Sequence, residues 1–249
     1  MVYDQVYLRR RRKSGWLPSY QTGRISHEEA VATGYKHIAL LTKRIEALTG
    51  ASPESRRALD FGCGWGRLAL PLAERCEYVY GVDASAVVLK EAERNASDKK
   101  ASNVEWLPVA RLAELSGRYD LVLSVLVFQH IPVDEGERLF AMLVEGLRPG
   151  GVGLIDLVLR PDHPVRGLFG SMKKSLATSA SPLKLVRGWK RSSLGPLRGY
   201  LHLLQCSYSL NRAGRLLAEA GVKEWHVEIR PAPESEHSDT ARIVFRKPE

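Results

Sequence analysis

Short, continuously apolar runs alternate along this chain with stretches in which apolar residues recur every three or four positions. The first periodic stretch begins at Ser26. In "SHEE", Ser26 is placed as an N-cap and Glu29 as the third helical residue, a capping box. Tyr35, Ile38, Ile45 and Leu48 then share one face until Gly50. "RALDF" (57–61) and "EYVYGVD" (77–83) predict two strands, with a helix over about 67–76 between them. Ser85 caps a further helix through about Asn95, and "NVEWLP" is a third strand. "YDLVLSVLVF" (119–128) is apolar throughout, as a strand buried on both faces should be. Asp134 and Glu137 form a second capping box for a helix that stops at "LRPGG", and "GVGLIDLVL" is a fifth strand. "SLNRAGRLLAEAG" reads as a helix capped by Ser209 and stopped by Gly221, followed by the strands "KEWHVEI" and "ARIVFRK". Such alternation predicts an α/β fold with a doubly wound, mostly parallel sheet.

Residues 160–205 break this rhythm, with Pro161, Pro164, Gly167, Gly170, Gly188, Gly195, Pro196 and Gly199 out of phase with the apolar positions. The expected organisation is therefore a basic segment and covering helix over 1–50 and a ligand-binding core over 51–159. A basic insertion or lid follows over 160–205, and 206–249 completes the core. Charge follows the same division. Of the net +9, residues 1–24 contribute +5 and 160–200 contribute +8, which leaves the remainder at −4. A uniformly basic nucleic-acid-binding domain does not fit that distribution, so nucleic acid is not an expected partner. The basic segments leave open a peripheral contact with an anionic membrane or a phosphate-bearing substrate. Cys63, Cys76 and Cys206 have neither paired nor metal-like spacing and read as reduced thiols of a cytoplasmic protein. No run of apolar residues reaches the roughly 18 needed to span a bilayer.

The first strand runs into "DFGCGWGR", a glycine-rich strand-to-helix turn of the kind that lets backbone approach a nucleotide. Its glycines are Gly62, Gly64 and Gly66, whereas a dinucleotide fingerprint would put the third at position 67, which is Arg67. Asp60 precedes the loop, and Asp83 ends the second strand at the distance expected of an acid that takes a ribose hydroxyl pair.

"LDFGCGWG", "VYGVDAS", "YDLVLSVLVFQHIP" and "LRPGGVGLIDL" together resemble the successive motifs of class I S-adenosylmethionine-dependent methyltransferases. The likeness covers 56–160 closely and the last helix and strands more loosely. It implies a Rossmann-like seven-stranded sheet with an antiparallel last strand and S-adenosylmethionine as cofactor. The histidines and carboxylates have no HxxxH-type spacing, so no metal site is assigned. Carried over residue by residue, Asp60, Gly62, Cys63, Gly64 and Gly66 would cradle the methionine and ribose part. Asp83 would take the ribose hydroxyls and Ala84 would lie along the adenine. Ala110 and Arg111 would stand where many relatives bring an Asp to the adenine amino group. Ser124 and Gln129 would lie near the sulfonium.

On the acceptor side, His130 follows the fourth strand and is the candidate general base. His237, between Glu236 and Asp239 in the turn "PESEHSDT", is a second candidate. Tyr20, Arg24 and His163 are candidate acceptor contacts. The expected reaction is O-methylation of a small polar molecule or glycan. An RNA or protein methyltransferase, or a non-catalytic methyltransferase-like binding protein, stays open as an alternative.

Overall fold

The computed structural model describes residues 27–52, 56–159, 206–230 and 239–249. Helix α1 (His27–Thr49) turns Ile38, Leu41 and Ile45 inward, the periodicity expected of the "SHEE" helix. Its proposed cap, Ser26, lies outside the described residues. Strand β1 (Arg57–Phe61) leads into the glycine turn, and helix α2 spans only Ala69–Ala73. The sequence places that helix at 67–76, but residues 64–68 are spent on the turn itself, so the helix starts late. Strand β2 (Tyr78–Asp83) ends at Asp83 as expected. Helix α3 (Ala86–Asp98) is capped by Ser85, whose side chain accepts from the Val88 amide, and it runs one turn beyond Asn95. Strand β3 (Val104–Pro108) follows, half-buried as an edge strand is.

Strand β4 (Tyr119–Ser124) stops four residues before the apolar run does. Hydrophobicity alone cannot mark that end, because Val125 and Val127 stay packed against the core after the strand has finished. Helix α4 (Val133–Glu145) also departs from expectation. Its N-cap is Pro132, and no side chain caps it, so the Asp134–Glu137 box does not form. Pro132 reaches the cap by its own fixed φ. Asp134 sits inside the first turn, where a carboxylate meets the helix dipole. Glu137 pairs with Arg212 at 3.1 Å. The helix ends at Gly146, and "LRPGG" opens strand β5 (Leu147–Val158) rather than closing the helix. Helix α5 (Leu210–Glu219) has its Ser209 cap, accepting from the Arg212 amide, and strands β6 (Trp225–Arg230) and β7 (Thr240–Arg246) complete the sheet.

The sheet has seven strands in the order β3-β2-β1-β4-β5-β7-β6. β1 to β5 are parallel, and β7 runs antiparallel between β5 and β6, with Ile155 opposite Ile243. One apolar cluster joins Ile38, Leu41 and Ile45 of α1 to Leu121, Leu123, Leu154 and Val244 on one face of the sheet. A second joins Phe61, Phe128, Leu143, Ile155, Leu217 and Phe245 on the other. The strand order advances from β1 to β3 and then returns past β1 to β4. Such a reversal opens a crevice at the carboxyl ends of β1 and β4, where doubly wound sheets bind ligands.

Candidate active site

The turn after β1 enters that crevice. The amides of Gly62 and Cys63 both donate to the Val82 carbonyl of β2, at 2.7 and 3.1 Å, and so tie the loop across the strand ends. Gly62 has φ +77, and a Cβ there would collide with both methyl groups of Val127. Gly64 has φ +56 with open space where its Cβ would stand. The first glycine is thus required by the protein's own packing. The second leaves backbone bare toward the crevice, as a ligand cradle needs.

Two carboxylates flank the loop in different environments. Asp83 is half-buried and bridges two backbone amides, with Oδ2 accepting from Gly64 at 3.0 Å and Oδ1 from Ser85 at 2.9 Å. That clamp fixes the carboxylate between the glycine loop and exposed Ala84. Asp60 is buried, and its Oδ2 has no hydrogen-bond partner among the described residues. Burial pushes the Asp60 carboxyl up to about 7, with nearby Arg67 opposing and Asp83 reinforcing the shift. A buried carboxylate oxygen without a donor is costly unless something supplies one. Cys63 is buried with its Sγ 3.6 Å from the Gly64 carbonyl. Burial, with Asp60 and Asp83 adding to it, holds its thiol well above the usual range. Cys63 is therefore a neutral wall of the loop and no nucleophile.

Sequence patterning does not reveal what lies above Asp60. Arg67, in the place where a dinucleotide loop has glycine, extends beneath α1 and contacts His37 Nδ1 through Nη1 at 2.9 Å. A guanidinium only donates, so this contact makes Nδ1 the acceptor and puts the neutral ring's proton on Nε2. Burial first, then the Arg67 and Arg242 charges, lower the His37 pKa against Asp156. The α1 backbone meets the loop closely here, since a Cβ on Gly34 would strike the Arg67 carbonyl. The only sequence signal of this contact is a glycine inside a helical pattern.

Across the crevice, Ser124 is fully buried and its hydroxyl donates to the Phe61 carbonyl at 3.2 Å. It ties β4 to the end of β1 and is not turned out toward a ligand. Gln129 and His130 sit on a short 3-10 turn, Phe128–His130. Gln129 is half-buried and His130 exposed, with their Nε2 atoms 3.3 Å apart. Tyr208 holds this turn from below. Its hydroxyl lies 3.0 and 2.8 Å from the Phe128 and Ile131 carbonyls, and the Cys206 amide donates to the Gln129 carbonyl at 2.8 Å. Ala110 and Arg111 are exposed on the 3-10 stretch after β3, and Arg111 is engaged with Glu114 at 2.8 Å. Tyr20, Arg24, His163 and His237 lie outside the described residues. The ends of the turn that carries His237, Arg230 and Thr240, pair beside Val158 at the carboxyl end of β5.

Residues 58–151 match the model of the methyltransferase domain family. The match lays a methyltransferase domain over strands β1 to β4 and the start of β5. It is 36% identical over 85 residues to magnesium-protoporphyrin O-methyltransferase from Synechocystis, covering 34% of this chain and 37% of that one. It is 34% identical over 141 residues to trans-aconitate 2-methyltransferase from Deinococcus radiodurans, covering 54% and 50%. The chain thus spans half or less of the length of these curated relatives. A crystal structure of the Synechocystis magnesium protoporphyrin IX methyltransferase with bound S-adenosylhomocysteine superposes with a TM-score of 0.58 at 16% identity. That superposition covers 98% of this chain and 96% of the other and shows a common fold. The residues of this methyltransferase domain fit the family's cofactor. The bare Gly64 backbone, the clamped Asp83 carboxylate and the orphaned Asp60 oxygen converge on one crevice.

Proposed function

We propose that this chain transfers a methyl group from S-adenosylmethionine to an oxygen of a small-molecule acceptor. The Asp83 clamp carries the reading. A carboxylate already held by the Gly64 and Ser85 amides keeps lone pairs for a vicinal diol without reorganising. Asp60 and the Gly62–Gly66 turn would hold the methionine part, and Ala84 would lie beside the base. When bound, the cofactor supplies a methyl group already activated on a sulfonium. What is left to the protein is alignment and, for a hydroxyl acceptor, removal of a proton.

His130 is the candidate base. With the Gln129 amide donating to Nε2, the ring proton sits on Nδ1, and an acceptor hydroxyl would take the place of that amide at the Nε2 lone pair. His237 stays a second candidate from the β6–β7 turn. Oxygen as the accepting atom is supported by the Synechocystis relative, named as a magnesium-protoporphyrin O-methyltransferase. A cytoplasmic enzyme acting on a freely diffusing acceptor is the corresponding setting.

Calorimetric titration with S-adenosylmethionine and S-adenosylhomocysteine tests the reading. Micromolar binding of both is expected, with a loss of about tenfold or more in Asp83→Ala. Absence of binding by the unaltered protein would sink it. His130→Ala should keep cofactor affinity and slow methyl transfer by about 10². Full turnover in that variant returns His130 to a structural role.

A further inference from the structure

Among the described residues two non-glycines have positive φ, Lys100 at +56 and Leu126 at +60. Lys100 follows the end of α3. Its amide donates to the Ser97 carbonyl and the Ala101 amide to Ala96, the ordinary left-handed end of a helix. Leu126 ends no helix. It lies between β4 and the turn that carries Gln129 and His130, and its side chain is 52% exposed.

Its neighbours explain the geometry without explaining the residue. Val125 packs into the cluster beneath α1, and Val127 packs into the opposite cluster and against Gly62. The backbone must cross from one face of the sheet to the other at the carboxyl end of β4, and the left-handed step turns residue 126 outward. Asparagine or glycine would take that step with little strain and present nothing apolar to water. A branched apolar side chain is unfavourable on both counts. Strained positions of this kind mark function when they face a site. Leu126 stands at the reversal of strand order, next to Val127, which packs on Gly62 of the glycine loop, and just before the turn that carries His130.

We propose that Leu126 is a specificity-determining contact for the methyl acceptor, and that the acceptor presents an apolar surface beside its accepting atom. This rests on the methyltransferase reading and narrows its acceptor from a polar sugar to a molecule with an apolar face. Leu40, 60% exposed on the regular helix α1, carries no left-handed strain, so it serves as the control.

The test uses the full chain saturated with S-adenosylhomocysteine and the apolar fluorophore 8-anilinonaphthalene-1-sulfonate as probe. Leu126→Asn should raise the Tm by about 2–4 °C by relieving the left-handed strain. It should leave S-adenosylhomocysteine affinity within about twofold and weaken the probe by at least about fivefold. Leu126→Met should retain probe binding, and so should Leu40→Asn. Unchanged probe affinity in Leu126→Asn overturns the proposal. So does a joint fall in Tm and S-adenosylhomocysteine affinity, which would make the residue structural. Unaltered protein that binds no S-adenosylhomocysteine overturns the methyltransferase reading itself, a result obtained before the leucine variants are compared.

Discussion

At the scale of single residues, the two loop acids divide their work by environment. Asp83 is stabilised as a carboxylate by two amides, whereas Asp60 Oδ2 finds no donor among the described residues. The folded-state pKa of Asp60, about 7, lies above the ordinary 3.8, so the folded protein holds its proton over that interval and the unfolded chain does not. Stability from this group therefore falls as pH rises from about 4 to about 7, by roughly 4 kcal/mol in all, and is level above. Binding has the opposite sign. A cationic cofactor favours the ionised carboxyl, so S-adenosylmethionine affinity should rise by up to about tenfold per pH unit towards 7 and then flatten. Calorimetry between pH 5.5 and 8.5 checks this, with Asp60→Asn expected to bind weakly and without the slope. A sloping profile in Asp60→Asn would assign the titration to another group.

At the scale of elements, the turn Phe128–His130 depends on Tyr208, which stands nearly eighty residues away in sequence. Ring contacts of Phe128 with Tyr208 and Phe140, at centroid distances of 5.7 and 6.1 Å, bury the start of the turn, and the Tyr208 hydroxyl serves two of its carbonyls. Tyr208→Phe removes that donor from a buried site and should cost about 1–3 kcal/mol, read as a lower urea midpoint. The same variant should lower kcat while S-adenosylhomocysteine affinity holds, because the backbone hydrogen bonds that fix the glycine loop run to β2 and not to this turn. Weakened S-adenosylhomocysteine binding would show that turn and loop are coupled.

At the scale of the whole molecule, α1 is joined to the sheet by apolar contacts, and the sheet's own β5–β7 seam holds a buried ion pair. Asp156 of β5 and Arg242 of β7 face each other across the antiparallel seam. Their two hydrogen bonds measure 2.8 and 2.9 Å, and both side chains are almost fully buried. Asp156→Ala leaves the guanidinium buried and unpaired and should cost about 3–5 kcal/mol, whereas Asp156→Leu with Arg242→Met should come close to neutral. Equal losses in the single and double variants would show that packing volume, not charge, sets the cost. The sequence by itself determined the strand–helix alternation, the glycine turn with Asp60 and Asp83 at its ends, and the likeness of that stretch to a methyltransferase domain, because each is written in neighbouring residues or in local periodicity. The tertiary structure alone decided that β4 stops at Ser124 inside an unbroken apolar run, since both faces of the sheet stay apolar past its end. Only there do Arg67 meet His37, Tyr208 hold the His130 turn and Leu126 turn outward at the crevice. Those contacts join residues up to eighty positions apart, and no local pattern of apolar and polar residues encodes which distant side chain will supply a donor.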